Sequence, residues 1–348
     1  MITPFAALAA SLCVIYAIRL LDVVEREPKR IVALAMLLGA FSTVPAIIFQ
    51  VFSEAVLLFA GLSEEFAAHF NTIVSAPFSE EFVKGAALLA LLGICRPKFN
   101  TLVDYLVYAC AIGIGFELVE NILYQWSTLG NEDQIAGWID EFNSRTLASA
   151  GSHAFFSAWL GFGAWALFKS RKRWGWIMAL AAFGVSIILH ASNNLFAVMQ
   201  ELGPADQILP INRLGAALSV VSNQFELALF IGLIGIAVLR DLSFLIDFGS
   251  LVQAQLLREG KNFSSPALHY LGLLINPINH LLASSAWSWS FTRLAIQTPS
   301  RSSFRAFAML ALDAAKRDSL DHDPAENEAR SACVNHAVTM IANLAQTS

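Results

Sequence analysis

Charge is what this sequence has least of. Asp, Glu, Lys and Arg make up 14% of its 348 residues, against 56% hydrophobic, and the mean hydropathy is +0.59. Soluble domains carry about one-quarter charged residues, so a single water-facing globule is excluded. Cysteine is also scarce. Cys13, Cys95, Cys110 and Cys333 lie far apart, without C-x-x-C or any metal-type spacing, and read as small apolar packing residues. The net charge of -5 comes without a basic stripe interleaved with aromatics, which argues against nucleic acid as a partner. The first apolar run, from about Pro4 to Leu21, has no basic leading segment and holds Arg19 near its end, so it reads as a retained span and not a cleaved signal peptide.

What fills the sequence instead is apolar runs long enough to cross a hydrocarbon layer of roughly 30 Å, which takes about 20 helical residues. Seven are predicted, over 4–23, 31–52, 72–95, 102–125, 147–168, 174–198 and 212–239. They are continuous rather than alternating, which excludes a transmembrane β-barrel. The expected fold is therefore all-α, a polytopic transmembrane helical bundle embedded in a lipid bilayer. Its domains are a membrane domain over 1–240 and, over 241–348, a membrane-hugging segment followed by a small helical cytoplasmic tail. Residues 262–292 carry no Asp, Glu, Lys or Arg, but Asn276, Pro277, Asn279 and His280 suit an interfacial or packed segment better than an eighth span. The tail helix has a good start at Asp323, Pro324 and Glu326.

Loop charges set the orientation, because Lys and Arg stay cytoplasmic. The odd loops hold Arg26, Lys29 and Arg30, then Arg96 and Lys98, then Lys169, Arg171, Lys172 and Arg173; the even loops are predominantly acidic. This puts the N-terminus outside and the C-terminus inside.

Against that apolar background stands a set of ionisable groups within the spans: Glu80, Glu81 and Lys84 in the third, Glu117 and Glu120 in the fourth, His153 in the fifth, and His190 with Asn194 in the sixth. Such groups cost at least about 2.5 kcal/mol each to insert and by default mark function. Glu80 and Lys84 are four apart and Glu81 and Lys84 three apart, so either carboxylate can pair with the ammonium; Glu117 and Glu120 share a face, as do His190 and Asn194. At about 1.5 Å per residue, all four helices bring these groups to roughly 7–14 Å from the outer face. Buried polar contacts also lock membrane helices together, but four carboxylates, two histidines and an amide at one depth exceed what a lock requires. Ala109, Gly113, Gly161 and Gly163 are read as packing residues.

In order along the chain, Glu80-Glu81-x-x-Lys84, Gly115-Phe116-Glu117-x-x-Glu120-Asn121, His153 and His190-x-x-x-Asn194 resemble the motifs of the PrsW intramembrane proteases, relatives of the CAAX-processing and bacteriocin-processing membrane proteases. The resemblance covers about residues 72–198. It implies cleavage of a membrane-anchored protein in a bacterial inner membrane, in one case an anti-sigma factor in envelope-stress signalling. It implies Glu80 and Glu81 as the main catalytic pair, completed by Glu120, His153, His190 and Asn194, with Glu117 less firmly placed. The residue types support hydrolysis on their own, supplying a base, an acid and an amide donor for an oxyanion. Ser152 adjoins His153 but lies on another helix face, so no serine nucleophile is implied. No cofactor is required. Zinc is compatible with two histidines and a carboxylate, but no H-E-x-x-H is present, and glutamate-activated water is favoured. A proton-coupled transporter and a non-catalytic scaffold are the competing classes.

Overall fold

In the computed structural model, the described residues are 3–21, 27–128, 134–169, 172–201, 211–260, 271, 307–308, 310–311 and 324–347. They are mostly helical, with short turns between helices and no strand among them. In chain order the helices are α1 (Thr3–Leu21), α2 (Lys29–Phe59), α3 (Glu64–Phe70), α4 (Ala76–Cys95), α5 (Leu102–Ser127), α6 (Gln134–Glu141), α7 (Ser152–Lys169), α8 (Lys172–Glu201), α9 (Ile211–Arg258) and α10 (Pro324–Thr347). Four of them, α2, α5, α8 and α9, are long and apolar enough to cross a membrane, and α1 holds a shorter apolar stretch. Helices α4 and α7, expected as spans, are not among these four, and α4 has three charges within its first nine residues.

Local signals explain where the helices start and stop. The Ser63 hydroxyl accepts from the Phe66 N–H at the head of α3, where Glu64 and Glu65 favour the positive end of the helix dipole. Thr101 and Asp104 form a reciprocal capping box on α5. Gly61, just after α2, has φ +82°, a conformation other residues resist. Helices α3 and α4 are joined without a break by a π-helical segment, Asn71–Ser75, a geometry frequent at functional sites.

Helix α5 is the centre of the bundle, and every residue from Leu102 to Glu117 is buried. It packs against α1, α2 and α7; α4 lies along α2, and α8 along α7. Glycines set how close these helices come. A Cβ on Gly39 would lie 1.9 Å from the Ile112 carbonyl oxygen, and one on Gly115 would lie 1.9 Å from that of Met36, so α2 and α5 touch backbone to backbone. On the opposite side of α5, Gly113 faces the His153 carbonyl and Gly161 that of Tyr105. Close contact of this kind is how membrane helices associate where lipid gives no hydrophobic drive. The outward faces of α2 and α8 expose Phe41, Ile48, Phe52, Trp174, Leu180 and Ile188, surfaces suited to lipid.

The chain divides into two compact units, 1–21 with 27–234, and 22–26 with 235–348. The sequence ends the seventh span near 239, whereas α9 continues without interruption to Arg258. In the second unit its late turns bury Leu242, Leu245, Phe248, Val252 and Leu256 at helical spacing, and Phe248 meets Phe307 with ring centroids 5.4 Å apart. Apart from Leu271, residues 262–292 lie outside the described residues, as does Asp323, the expected cap of α10.

Candidate active site

The first turns of α4 supply three adjacent roles. Glu81 is fully buried and saturated with partners: its Oε1 lies 2.5 Å from Lys84 Nζ and 2.9 Å from His190 Nδ1, and its Oε2 accepts from the Ser186 hydroxyl at 2.7 Å. Of the two pairings the spacing allows, the three-residue one forms. The lysine Nζ also lies 3.0 Å from His153 Nδ1 and 4.7 Å from the centroid of Phe116. These contacts assign the histidine tautomers. A carboxylate only accepts, so His190 carries its proton on Nδ1 and presents the lone pair of Nε2. An ammonium only donates, so the lone pair of His153 is on Nδ1 and its Nε2–H points the other way. Nε2 there lies 2.8 Å from Glu120 Oε2.

Glu80 is placed differently from its neighbour. Its Oε1 accepts from the side-chain amide of Gln50 at 3.1 Å. Its Oε2 is buried with no hydrogen-bond partner, 3.9 Å from His153 Nδ1 and 3.8 Å from His190 Nε2. An unsatisfied buried oxygen carries a cost of about 1–3 kcal/mol, and the separations to the two nitrogens are of the size that a bridging water or ion spans.

Glu120 completes the cluster from α5. Its Oε1 lies 2.9 Å from Arg145 Nη2, and that guanidinium stacks 3.6 Å over the ring of Tyr124, one turn further along α5. Glu117, on the same helix, stands apart from the other carboxylates. It accepts from the backbone N–H groups of Gly151 (2.9 Å) and His153 (3.3 Å), capping the start of α7. Gly151, with φ +85°, makes the turn that presents them. Asn194 is also set apart, its amide donating to the Thr72 carbonyl within the π-helical segment at 2.9 Å.

A cavity of about 230 Å³ between α2, the α3–α4 unit and α5 is lined by Gln50, Thr72, Glu80, Phe116, Glu120 and Tyr124, among others. Glu81 and Asn194 do not line it. Four residues of this arrangement, Gln50, Tyr124, Arg145 and Ser186, were not singled out by the sequence. Ser186 had a usable signal, lying four residues before His190 and so on the same face of α8. Gln50 is a lone amide in an apolar run. Arg145 reads as a loop charge until the π-helical segment Phe142–Ala148 carries it to Glu120.

Glu80, His153 and His190 also form a donor set for a metal ion, with ligand atoms all within 4.8 Å of one another. The chemistry of the set fits zinc: one unsatisfied carboxylate oxygen and two imidazoles, each with a carboxylate on its other nitrogen. One donor is shared, because Lys84 holds the His153 Nδ1 lone pair.

Residues 27–222 match the family described as PrsW family intramembrane metalloprotease. A protein named Protease PrsW, from Geobacillus kaustophilus (strain HTA426), is 28% identical over 199 residues, which is 56% of this chain and 80% of that protein. No solved structure matches the chain.

Proposed function

Since the chain belongs to the PrsW family of intramembrane proteases, we propose that it hydrolyses a peptide bond of a membrane-anchored protein at Glu80. The observation that carries this is Glu80 itself: its Oε2 is buried without a partner between two imidazole nitrogens, and the residue lines a cavity that also reaches Glu120. Water held there donates one hydrogen bond to Glu80 Oε2 and a second to the His190 Nε2 lone pair. In the reaction its oxygen bonds to the scissile carbonyl carbon, its proton passes to Glu80, and the carbonyl π pair moves to the oxygen. Collapse restores the carbonyl, breaks the C–N bond and sends the proton from Glu80 to the departing amine.

In this scheme Glu81 does not touch substrate. It orients His190, with Ser186 and Lys84 fixing its own two oxygens, while Glu120 orients His153. Glu117 is a positioning residue acting through the start of α7. A metal, which the family description implies without naming, would sit on Glu80, His153 and His190 in place of Lys84 at His153 Nδ1, where it would polarise the carbonyl and acidify bound water.

Orientation follows from the loop charges: with the odd loops cytoplasmic, the cluster opens to the extracytoplasmic half of the bilayer, as befits a bacterial inner-membrane protein. The substrate class is then a membrane-anchored protein cut near its outer membrane boundary, a class that includes the anti-sigma factor expected from the family resemblance. Mass spectrometry of new N-termini in membranes holding wild-type or Glu80→Gln protein tests the proposal. Fragments ending near outer membrane boundaries should appear with wild type and vanish with the variant at equal abundance; identical fragment sets would overturn it.

A further inference from the structure

Hydrolysis at Glu80 leaves negative charge on the carbonyl oxygen, and a preorganised donor for that oxygen is worth more than any other single contribution in many hydrolases. The sequence offers Asn194 for this task, but its amide, which donates to the Thr72 carbonyl, lies off the cavity wall. We propose that Gln50, on α2, binds the oxygen of the scissile carbonyl. The inference rests on the hydrolase reading above and adds to it a residue that lies outside the four recognised motifs.

Three observations support it. Gln50 lines the same cavity as Glu80 and Glu120, so substrate that reaches the base also reaches the amide. Its Nε2 donates to Glu80 Oε1 at 3.1 Å, which places the donor beside the base with no intervening group. An amide nitrogen has two N–H groups, and the second faces only Ser79 Oγ at 3.4 Å, the long end of a hydrogen bond. The Ser79 hydroxyl, for its part, donates to the Ala76 carbonyl. Of the other donors on the wall, the hydroxyls of Thr43 and Thr72 donate to Ala40 and Ala68 within their own helices, and Asn71 and Tyr124, which also line it, lack the hydrogen bond to Glu80 that Gln50 makes. An amide also makes chemical sense here. It stabilises a developing oxyanion without adding a charge that would pair with Glu80 and blunt it as a base.

The test uses the full-length protein in vesicles, with a single-span polypeptide identified by its wild-type-dependent cleavage. Gln50→Met keeps length and suits an apolar helix. It should lower kcat by about 10²–10³-fold, the cost of one lost oxyanion donor, and leave KM nearly unchanged. Two uncleavable versions of the same polypeptide separate contact from positioning: a phosphinate, which mimics the tetrahedral oxygens, and a reduced methyleneamino isostere, which has none. Gln50→Met should weaken the phosphinate alone, and should do so equally in a Glu80→Gln background. Retained binding of the reduced isostere shows that the variant is folded. Wild-type kcat in Gln50→Met, or weakening of the phosphinate only when Glu80 is intact, overturns the proposal, the latter making Gln50 a positioning residue. A wild-type protein whose cleavage is unaffected by Glu80→Gln refutes the hydrolase reading instead.

Discussion

Gly113→Ala tests whether the site is held by the close approach of α5 and α7. A Cβ at this position would lie 2.3 Å from the His153 carbonyl oxygen and 2.7 Å from the Ser157 hydroxyl. Real Cβ contacts essentially never fall under 3.0 Å, so the α7 backbone must retreat by about 0.7 Å or more at the residue that brings the His153 imidazole to the cluster. Two costs follow. Overpacking of this kind destabilises by about 1–3 kcal/mol, visible as a lowered midpoint in thermal unfolding of the detergent-solubilised protein. A displacement approaching 1 Å in the catalytic layer lowers turnover by about 10²-fold, because His153 must face Glu80, Lys84 and Glu120 together. Gly115→Ala makes the same steric demand on α2 through the Met36 carbonyl and serves as the control for stability. Gly85→Ala, which meets nothing within 4 Å, is the neutral control. The reasoning fails if Gly113→Ala cleaves at the wild-type rate, or if it loses no more activity than a Gly115→Ala variant of equal stability.

Lys84→Met removes the one lysine paired with the fully buried Glu81 carboxylate, leaving it only His190 and Ser186, so it should cost about 3–5 kcal/mol and lower abundance in the membrane, with partial recovery in a Glu81→Gln, Lys84→Met double variant. Arg145→Ala leaves Glu120 with one partner and should reduce cleavage while sparing abundance; unchanged turnover would remove Glu120 from the scheme. Reporter fusions after Lys172 and Asp133 should report opposite sides of the membrane, cytoplasmic and outer respectively, and fusions on the same side would refute the orientation. Prolonged dialysis against a strong zinc chelator should leave activity intact, since Lys84 already holds the His153 lone pair that an ion would need; loss on chelation with recovery on added zinc would make Glu80, His153 and His190 ligands.

Much of this arrangement was legible because depth in a membrane can be counted. The spacing of charges along four antiparallel helices is enough to place Glu80, Glu81, Glu120, His153 and His190 in one layer, and the structure gathers those side chains into one cluster. Helical periodicity narrows the lysine to two partners but does not choose between them; that choice depends on which carboxylate α8 reaches, and Ser186 and His190 take Glu81. The partners that the sequence does not reveal share a different cause. Asn194 follows His190 by one turn and reads as its companion. Yet the π-helical segment at 71–75 offers it the Thr72 carbonyl, and nothing in the local sequence Asn71-Thr72-Ile73-Val74-Ser75 announces a π turn. The second π-helical segment does the same for Arg145, turning an apparent loop charge into the partner of Glu120. Glu117 shows the converse. A carboxylate three residues from Glu120 reads as part of the chemistry, and nothing in the sequence signals that the N–H groups of Gly151 and His153 reach it, a pairing that the positive φ of Gly151, thirty-four residues away, helps to make. Ionisable residues in lipid thus announce a layer. Which partner each of them takes is decided in part by uncharged groups, among them the amide of Gln50, the hydroxyl of Ser186 and the glycine backbones, whose positions only the packed helices define.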